Sequence, residues 1–366
     1  MGLSVVIAPD SFKGSLPAAA AAAAIADGWR ECRPGDSVLL RPQADGGEGT
    51  LDAIESAIPT AVRHRVERVT GPDQRPTCAT WLQLPGGVAV VELAESSGLP
   101  LMAAPDALHA TTRGLGEVIR VAVEAGSQSL VVALGGSAST DGGAGALQAL
   151  GLRLLRVDGT AIGVGGAGLA ELHAVDRREV VRPPAGGVTL LTDVTAPLLG
   201  PAGAASAFGP QKGATPAEIE LLERALARLA GVLGGDPAIP GSGAAGGTAY
   251  GLIAGWGATA EPGAAWIATL TGLKSAIATA DVVLTGEGRF DTTTLTGKVV
   301  GEVLSQANGT RVGIVAGTLG ADAPGGVWAV SLTRLAGSVE AAMTEPERWL
   351  RAAGRAAAAH FAPSTA

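Results

Sequence analysis

The stretch "SVVIAPDSFKGSLPAAAAAAAIADGWRE" (residues 4–31) decides the fold of this chain. Its apolar start predicts a buried strand (4–10) that ends in a loop. Its alanine-rich half predicts a helix (15–31) with Ser15 as the N-cap. A second predicted strand (37–42) and a short predicted helix (49–58) follow. This βαβα alternation predicts a parallel sheet with helices on its faces, and therefore an α/β fold.

The end of the chain repeats the same alternation. Strands and helices are predicted there in turn at 281–286, 298–308, 310–317 and 346–360. The middle of the chain differs, since two strands joined by a Pro-Gly-Gly turn are followed by a helix, a strand and two more helices. These predicted elements are 77–84, 87–94, 113–125, 129–134, 143–150 and 216–235.

The two patterns predict a discontinuous domain organisation. We expect a Rossmann-like parallel-sheet domain made of residues 1–66 and 281–366, with a second, mixed α/β domain (67–280) inserted into it. The glycine-dense stretch 237–258 is compatible with a flexible segment or with a close-packed loop and helix.

Composition excludes several classes of protein. The net charge of −8 and the pI near 5.1 argue against general nucleic-acid binding, which needs a basic face. No window approaches the roughly 20 apolar residues of a membrane span, and the first residues do not resemble a signal peptide. Two cysteines, Cys32 and Cys78, predict a reduced cytoplasmic protein with both thiols buried. The scattered histidines argue against a zinc site.

Polar groups follow the first predicted strand in "APDSFKGSL" (8–16). Ligands of open α/β sheets lie at the carboxyl ends of the strands, where Asp10, Ser11 and Lys13 would be found. A carboxylate suits proton abstraction or Mg²⁺, and a lysine suits a phosphate. The alternative is an N-cap beside a solvated lysine.

Two further stretches place carboxylates after predicted strands. "ADGGEGT" (44–50) holds Asp45 and Glu48, which suit a metal or a polyol hydroxyl, or form a capping turn. "ELAESSGL" (92–99) holds Glu95 at the end of a strand, either in a site or in a surface turn.

The stretch "LGGSASTDGGAGAL" (134–147) has the composition of an anion site. It is neither a P-loop nor a Rossmann fingerprint, because it lacks the lysine of the first and the glycine spacing of both. Glycine amides, hydroxyls and a helix start after a strand still favour a phosphate. Asp141 is compatible with a metal ligand, a substrate ligand or a cap of the following helix.

Two later stretches add further charged groups. "LTDVTAPLLGPAGAASAFGPQKGA" (191–214) holds Asp193 and Lys212. "LTGEGRFDTTTLTGK" (284–298) gathers Glu287, Arg289 and other charged groups and threonines in one predicted loop, where they bind a ligand or face water.

These six stretches, in this order, resemble the glycerate kinase family of the glycerate 2-kinase type. The resemblance covers about residues 4–320. It implies ATP-dependent phosphorylation of D-glycerate, usually to 2-phosphoglycerate, with Mg²⁺. It also implies two α/β domains with the active site in the cleft.

Within that resemblance, we assign hypothetical roles. The catalytic candidates are Asp193, Asp10, Lys13 and Lys212. The substrate-binding candidates are Asp45, Glu48, Ser11, Arg289 and Glu95. The ATP phosphates would be held by Gly135, Gly136, Ser137, Gly142 and Gly143. Mg²⁺ would be held by one or two of Asp193, Glu287 and Asp141. Asp10, Asp45 and Asp193 compete as general base, and we favour Asp193.

Two other functions are compatible with the sequence. One is a kinase of another small hydroxy acid or polyol, and the other is a non-catalytic ligand-sensing protein of the same fold. A homodimer is expected only from the general frequency of dimers.

Overall fold

The structure, a computed structural model, describes residues 2–295 and 297–362. Its strands in chain order are β1 (Ser4–Ile7), β2 (Ser37–Leu40), β3 (Val62–Thr70), β4 (Pro76–Leu84), β5 (Val88–Glu92), β6 (Ser129–Ala133), β7 (Arg153–Leu155), β8 (Ala174–Asp176), β9 (Val188–Leu191), β10 (Thr259–Glu261), β11 (Val282–Phe290), β12 (Arg311–Leu319) and β13 (Trp328–Ser331). Its α-helices are α1 (Ala18–Cys32), α2 (Thr50–Ala57), α3 (Ala94–Ser97), α4 (Arg113–Glu124), α5 (Ala144–Ala149), α6 (Gly165–Gly168), α7 (Ala204–Phe208), α8 (Pro216–Leu233), α9 (Ala244–Trp256), α10 (Gly263–Leu270), α11 (Leu273–Ala278), α12 (Val299–Gln306), α13 (Leu332–Ala336), α14 (Val339–Thr344) and α15 (Pro346–His360).

Contacts divide the chain into two compact units. The first unit comprises residues 2–45, Asp52–Pro59 and 262–362, and the second comprises Gly46–Leu51 and Thr60–Glu261. The domain limits at 66/67 and 280/281 stay a prediction. The chain passes from one compact unit to the other at different residues. Strand β3 continues across residue 66 and pairs with β4, and α10 and α11 pack into the core of the first unit.

The first unit is built on a parallel sheet, which confirms the predicted α/β fold. Its strand order is β13-β12-β11-β1-β2, and every neighbouring pair is parallel. Alternate residues of β1 face opposite sides, so Val5 and Ile7 pack with α1 and α15, while Val6 packs with α10, α11 and α12. Helices therefore cover both faces of the sheet, as parallel sheets require.

Helices α1 and α15 lie in direct backbone contact. A Cβ atom at Gly28 would lie 1.9 Å from the carbonyl oxygen of Arg351, and one at Gly354 would lie 2.1 Å from that of Ile25. Only glycine fits at these two positions, so the close approach is encoded by residues far apart in the sequence.

The predicted N-cap of α1 is wrong. The helix begins at Ala18, and Pro17 precedes it without a side-chain cap. Ser15 instead donates its hydroxyl hydrogen to the carbonyl oxygen of Phe12 at 2.9 Å, inside the tight turn that closes the preceding loop.

The second unit is built on a mixed sheet of order β10-β9-β6-β5-β4-β3. The pairs from β10 to β5 are parallel, and β5-β4 and β4-β3 are antiparallel. The predicted hairpin around the Pro-Gly-Gly turn is confirmed by the β4-β5 pair. Strands β7 and β8 form a separate antiparallel pair.

The glycine-dense stretch 237–258 forms a close-packed segment rather than a flexible one. It contains α9, most of which is buried and which is kinked at Ala245, Gly246 and Gly247. A Cβ atom at Gly246 would lie 2.1 Å from the carbonyl oxygen of Ser139, so α9 packs directly on the 134–143 loop.

Two predictions about the surface have different outcomes. Cys32 and Cys78 are free thiols, but both are exposed, so their predicted burial is wrong. Cys32 ends α1 and Cys78 lies on β4, and in each case the side chain points away from the core. Among the residues that the structure describes, no helix is long and apolar enough to cross a membrane.

Candidate active site

A cavity of about 370 Å³ lies within the first unit, at the carboxyl edge of the parallel sheet. Asp10 follows β1 and Asp45 follows β2, and these neighbouring strands are parallel, so the two segments meet at one edge. The amide of Gln43 donates to the carbonyl oxygen of Pro9 at 2.9 Å, which ties the two segments together.

Glu287 and Arg289 line this cavity from a strand and not from a loop. Strand β11 runs four residues beyond its predicted end, because β12 continues beside it and pairs Glu287 with Ala316 and Arg289 with Thr318. The amide of Asp10 donates to the carbonyl oxygen of Gly286 at 2.8 Å, so the Asp10 segment is attached beside Glu287.

Lys13 and Asp45 form an ion pair on the cavity wall. Their Nζ and Oδ2 atoms lie 3.7 Å apart, and the Lys13 side chain is 60% exposed. The charge of Asp45 raises the pKa of Lys13, and burial opposes this effect. Lys13 is therefore a cation that a ligand can reach, in a pair too exposed to stabilise the fold much.

Asp10 is a buried carboxyl group with an unusual pKa. Its residue is 5% exposed, and one carboxylate oxygen accepts the backbone N–H of Ser11 at 2.6 Å. Burial, and after it the charge of Asp45, raise its pKa to about 7 against the opposing effects of Lys13 and the Ser11 amide. Asp10 therefore gains and loses its proton near neutral pH.

Two buried polar atoms next to the cavity have no hydrogen-bond partner within the described residues. They are Oγ of Ser11 and Oε1 of Glu287, and both residues line the cavity. Burial also raises the pKa of Glu287, opposed first by a hydrogen bond from Thr294. A buried unsatisfied polar atom costs about 1–3 kcal/mol, so both atoms are available to a ligand or a water molecule in the cavity.

The donor set of the cavity is compatible with Mg²⁺. In the parts of the chain that the structure describes, no three His, Cys, Asp or Glu side chains are grouped as a metal site. Mg²⁺ does not need such a group, since it is usually held by one or two carboxylates together with substrate phosphates and water. Glu287, whose Oε1 has no hydrogen-bond partner among the described residues, fits that requirement.

Part of the cavity lining is apolar and was not predicted from the sequence. Helices α13 and α14 supply Leu332, Val339, Ala342 and Met343 to this part. No element was predicted between residues 317 and 346. Two serines could have revealed these helices, because Ser331 and Ser338 accept the amides of Arg334 and Ala341 as N-caps.

In the second unit, Asp141 is fully buried and accepts four hydrogen bonds. Its Oδ2 accepts from the backbone N–H and the hydroxyl of Thr112 and from the amide of Gly145, at 2.8–3.2 Å. Its Oδ1 accepts the amide of Gly143 at 3.1 Å. These bonds fix Asp141 beside the start of α5, and its role as a metal or substrate ligand stays a prediction.

Most glycine amides of the 134–143 loop are used inside the protein. Gly135 donates to Gly46 and Gly142 to Gly246, and Gly143 donates to Asp141. Gly142 and Gly143 are buried, so neither offers an amide to a phosphate in this structure. Gly136 is exposed and Ser137 is 9% exposed.

Lys212 lies beneath this loop and is only 2% exposed. Its ammonium group donates to Oγ of Ser137 at 2.8 Å and to the carbonyl oxygen of Ser139. Burial lowers the pKa of Lys212 to about 7, and the charge of Asp141 opposes the shift. In this geometry Lys212 holds the loop in place.

The remaining predicted residues have separate environments. Asp193 is half-buried after β9, and Glu48 is exposed. Glu95 accepts the amide and hydroxyl of Thr80 at 3.2 and 3.0 Å, a contact that connects α3 to β4. The structure thus brings one set of predicted residues together in the first unit: Asp10, Ser11, Lys13, Asp45, Glu287 and Arg289.

Comparisons with known proteins agree with the resemblance of the motifs. The sequence model of the glycerate kinase family matches residues 5–362. The glycerate 2-kinase of Escherichia coli (strain K12) is 41% identical over 306 residues, which are 81% of this chain and 80% of that protein. The glycerate kinase of Halalkalibacterium halodurans is 41% identical over 329 residues, 87% of this chain and 86% of that protein.

A solved structure is similar along nearly the whole chain. It is the crystal structure of a candidate glycerate kinase 2 from Salmonella typhimurium LT2, with a TM-score of 0.83 and 37% identity. The alignment covers 99% of this chain and 98% of that one. Because both the family match and these similarities span the chain almost from end to end, the chain belongs to the glycerate kinase family and is an ATP-dependent kinase.

Proposed function

We propose that the enzyme transfers the γ-phosphoryl group of ATP to D-glycerate and that the product is 2-phosphoglycerate. One observation carries the proposal. The cavity of the first unit combines accessible cations with two buried polar atoms, Ser11 Oγ and Glu287 Oε1, that lack a protein partner among the described residues. An anionic, hydroxyl-bearing substrate and a phosphate chain would supply those partners.

Phosphoryl transfer depends mainly on positioning and on the neutralisation of charge. Lys13 and Arg289 both line the cavity with largely exposed side chains, so they are available to the transferring phosphoryl group and to the glycerate carboxylate. The hydroxyl of Ser11 is available to hydrogen-bond a substrate oxygen.

The glycerate hydroxyl must lose its proton during the transfer. A general base acts best when its pKa lies near the working pH, and burial gives Asp10 a pKa of about 7. We therefore place Asp10 ahead of Asp193 in this role. Asp45 would hold Lys13 in position from the cavity wall.

Glu287 is the carboxylate that we expect to hold Mg²⁺. The metal, when bound with ATP, neutralises charge on the β- and γ-phosphates. The chain itself contributes the buried carboxylate of Glu287. Burial raises the pKa of this group, and a bound cation would lower it again.

In the second unit, the 134–143 loop holds the predicted phosphate-binding residues. Gly136 and Ser137 remain the candidates for phosphate binding, and Lys212 would keep Ser137 in its place without touching the phosphate. A location in the cytoplasm and a homodimer stay predictions.

The test is direct. The purified protein is supplied with ATP, Mg²⁺ and D-glycerate, ADP release is followed by a coupled assay, and the product is identified by NMR. Formation of 2-phosphoglycerate supports the proposal. Formation of 3-phosphoglycerate contradicts the position of transfer. Turnover with another hydroxy acid or polyol but not with D-glycerate contradicts the substrate.

A further inference from the structure

The first-unit cavity is lined by two kinds of side chain. Lys13, Arg289 and Lys298 line it together with three carboxylates, and helices α13 and α14 add an apolar surface. On α14, Val339 and Met343 are separated by one helical turn and therefore share a face. These residues are 51% and 52% exposed.

This apolar surface is not explained by the stability of the fold. Leu332 and Ala342 are buried in the core beneath it, whereas Val339 and Met343 leave half of their surface open at the cavity. A cavity of about 370 Å³ falls within the roughly 300–1,000 Å³ typical of small-molecule sites, which combine apolar walls with a few placed polar groups.

The two substrates of the proposed reaction differ in their fit to such a cavity. Glycerate carries an oxygen on each of its carbons and has no apolar face to bury. ATP has a flat aromatic base at one end and a polyanionic chain at the other, which matches a cavity lined both by an apolar surface and by cations. The polarisable thioether of a methionine also favours contact with an aromatic ring.

We propose that α13 and α14 form the binding surface for the adenine ring of ATP, with the phosphate chain directed to Lys13 and Arg289. The proposal rests on the proposed function only in taking ATP as the phosphoryl donor. It assigns to Val339 and Met343 a contact with the base and no part in the chemistry.

The first test separates the base from the phosphates. Binding of ADP and of pyrophosphate is measured by calorimetry for the native enzyme, for Met343→Asp and for Thr344→Asp. Thr344 is the matched control, because it is exposed on the same helix, one residue along, and does not line the cavity. We expect Met343→Asp to weaken ADP binding about tenfold or more and to change pyrophosphate binding less than about twofold. Thr344→Asp should change neither.

A milder variant, Val339→Ser, keeps the test usable if Met343→Asp does not fold, which circular dichroism would show. We expect it to weaken ADP binding about threefold and to raise the KM for ATP while the KM for D-glycerate stays constant. Unchanged ADP binding, an equal loss of ADP and pyrophosphate, or a rise confined to the KM for D-glycerate would overturn the proposal.

The two proposals can fail separately. If the enzyme does not phosphorylate D-glycerate, the proposed function is lost, but the comparison of ADP with pyrophosphate still decides whether the base binds to α14. If turnover is normal and that comparison shows no difference between Met343→Asp and Thr344→Asp, only the proposed adenine-binding surface is contradicted.

Discussion

Glu287 in the first unit and Asp141 in the second are both buried carboxylates in glycine-rich motifs, yet their surroundings differ. Oε1 of Glu287 has no hydrogen-bond partner among the described residues, whereas Asp141 accepts four hydrogen bonds from the protein. The lysines differ in the same way: Lys13 is 60% exposed beside the cavity, and Lys212 is buried under the 134–143 loop.

The difference separates two uses of the same residue types. Polar groups that are satisfied within the protein stabilise one backbone conformation, and polar groups left unsatisfied at a cavity wall are available for a ligand. We therefore expect substitutions in the first-unit cavity to reduce activity more than stability, and substitutions in the loop to do the opposite.

The largest effect is expected for Asp10→Asn. Removal of a general base lowers kcat by roughly 10²–10⁴-fold, and ADP binding should persist because the cations of the cavity remain. Steady-state kinetics and ADP titration would measure both. The paired variant is Asp193→Asn, and if it loses more kcat than Asp10→Asn, Asp193 and not Asp10 is the base.

The next prediction compares the two carboxylates. Glu287→Gln should lower kcat about 100-fold without loss of stability, because a buried carboxylate with a raised pKa gains nothing from its charge in the free enzyme. Asp141→Asn should lower the free energy of unfolding by about 2–4 kcal/mol, because charge-assisted hydrogen bonds to Thr112, Gly143 and Gly145 are weakened. Urea denaturation and steady-state kinetics of both variants would measure these effects. A loss of stability in Glu287→Gln and a loss of kcat in Asp141→Asn would contradict the distinction.

A smaller difference of the same kind is expected for the two lysines: substitution of Lys13 should reduce activity, and substitution of Lys212 should reduce stability. Lys13→Met should change the free energy of unfolding by no more than about 0.5 kcal/mol, since its ion pair is exposed, while kcat/KM falls. Lys212→Met should cost about 1–3 kcal/mol, because Ser137 and the Ser139 carbonyl lose their donor. Denaturation curves at one pH are sufficient, and equal stability losses would contradict the assignment.

The last prediction concerns the slope of stability against pH, whose sign differs between Asp10 and Lys212. Between the ordinary pKa of Asp10, 3.8, and its folded value of about 7, the folded state holds more protons than the unfolded state. Its contribution to stability therefore falls as pH rises through this window. Lys212 has a folded pKa of about 7 and an ordinary value of 10.5, so the unfolded state holds more protons and stability rises with pH between these values.

Each slope is at most about 1.4 kcal/mol per pH unit. The difference in unfolding free energy between the native enzyme and Asp10→Asn, and between the native enzyme and Lys212→Met, isolates each one. Slopes of the same sign would show that one of the two groups is not titrating as its burial requires.

Local patterns in the sequence were sufficient to predict the parallel sheet and most of its elements. The strand-loop-helix pattern of residues 4–31 placed Asp10, Ser11 and Lys13 at the carboxyl edge of the sheet, where the structure has them. The same reasoning placed Asp45 there, because it follows the neighbouring strand.

Features that depend on distant partners could not be predicted. The extension of β11 through Glu287 and Arg289 depends on pairing with β12, and no local signal reports it. The satisfaction of Asp141 depends on Thr112, 29 residues away. The burial of Lys212 depends on packing against Ser137 and Ser139, and a lysine in a Gly-Pro-rich loop ordinarily indicates exposure.

The glycine contact between α1 and α15 has a consequence for synthesis on the ribosome. Helix α1 emerges early, but the helix that covers it is made only after the whole of the second unit, residues 60–261, has been translated. The second unit can fold first. During that time Ile25, Trp29 and the other apolar residues of α1 are exposed to water. The nascent chain is therefore open to aggregation or chaperone capture until α15 arrives.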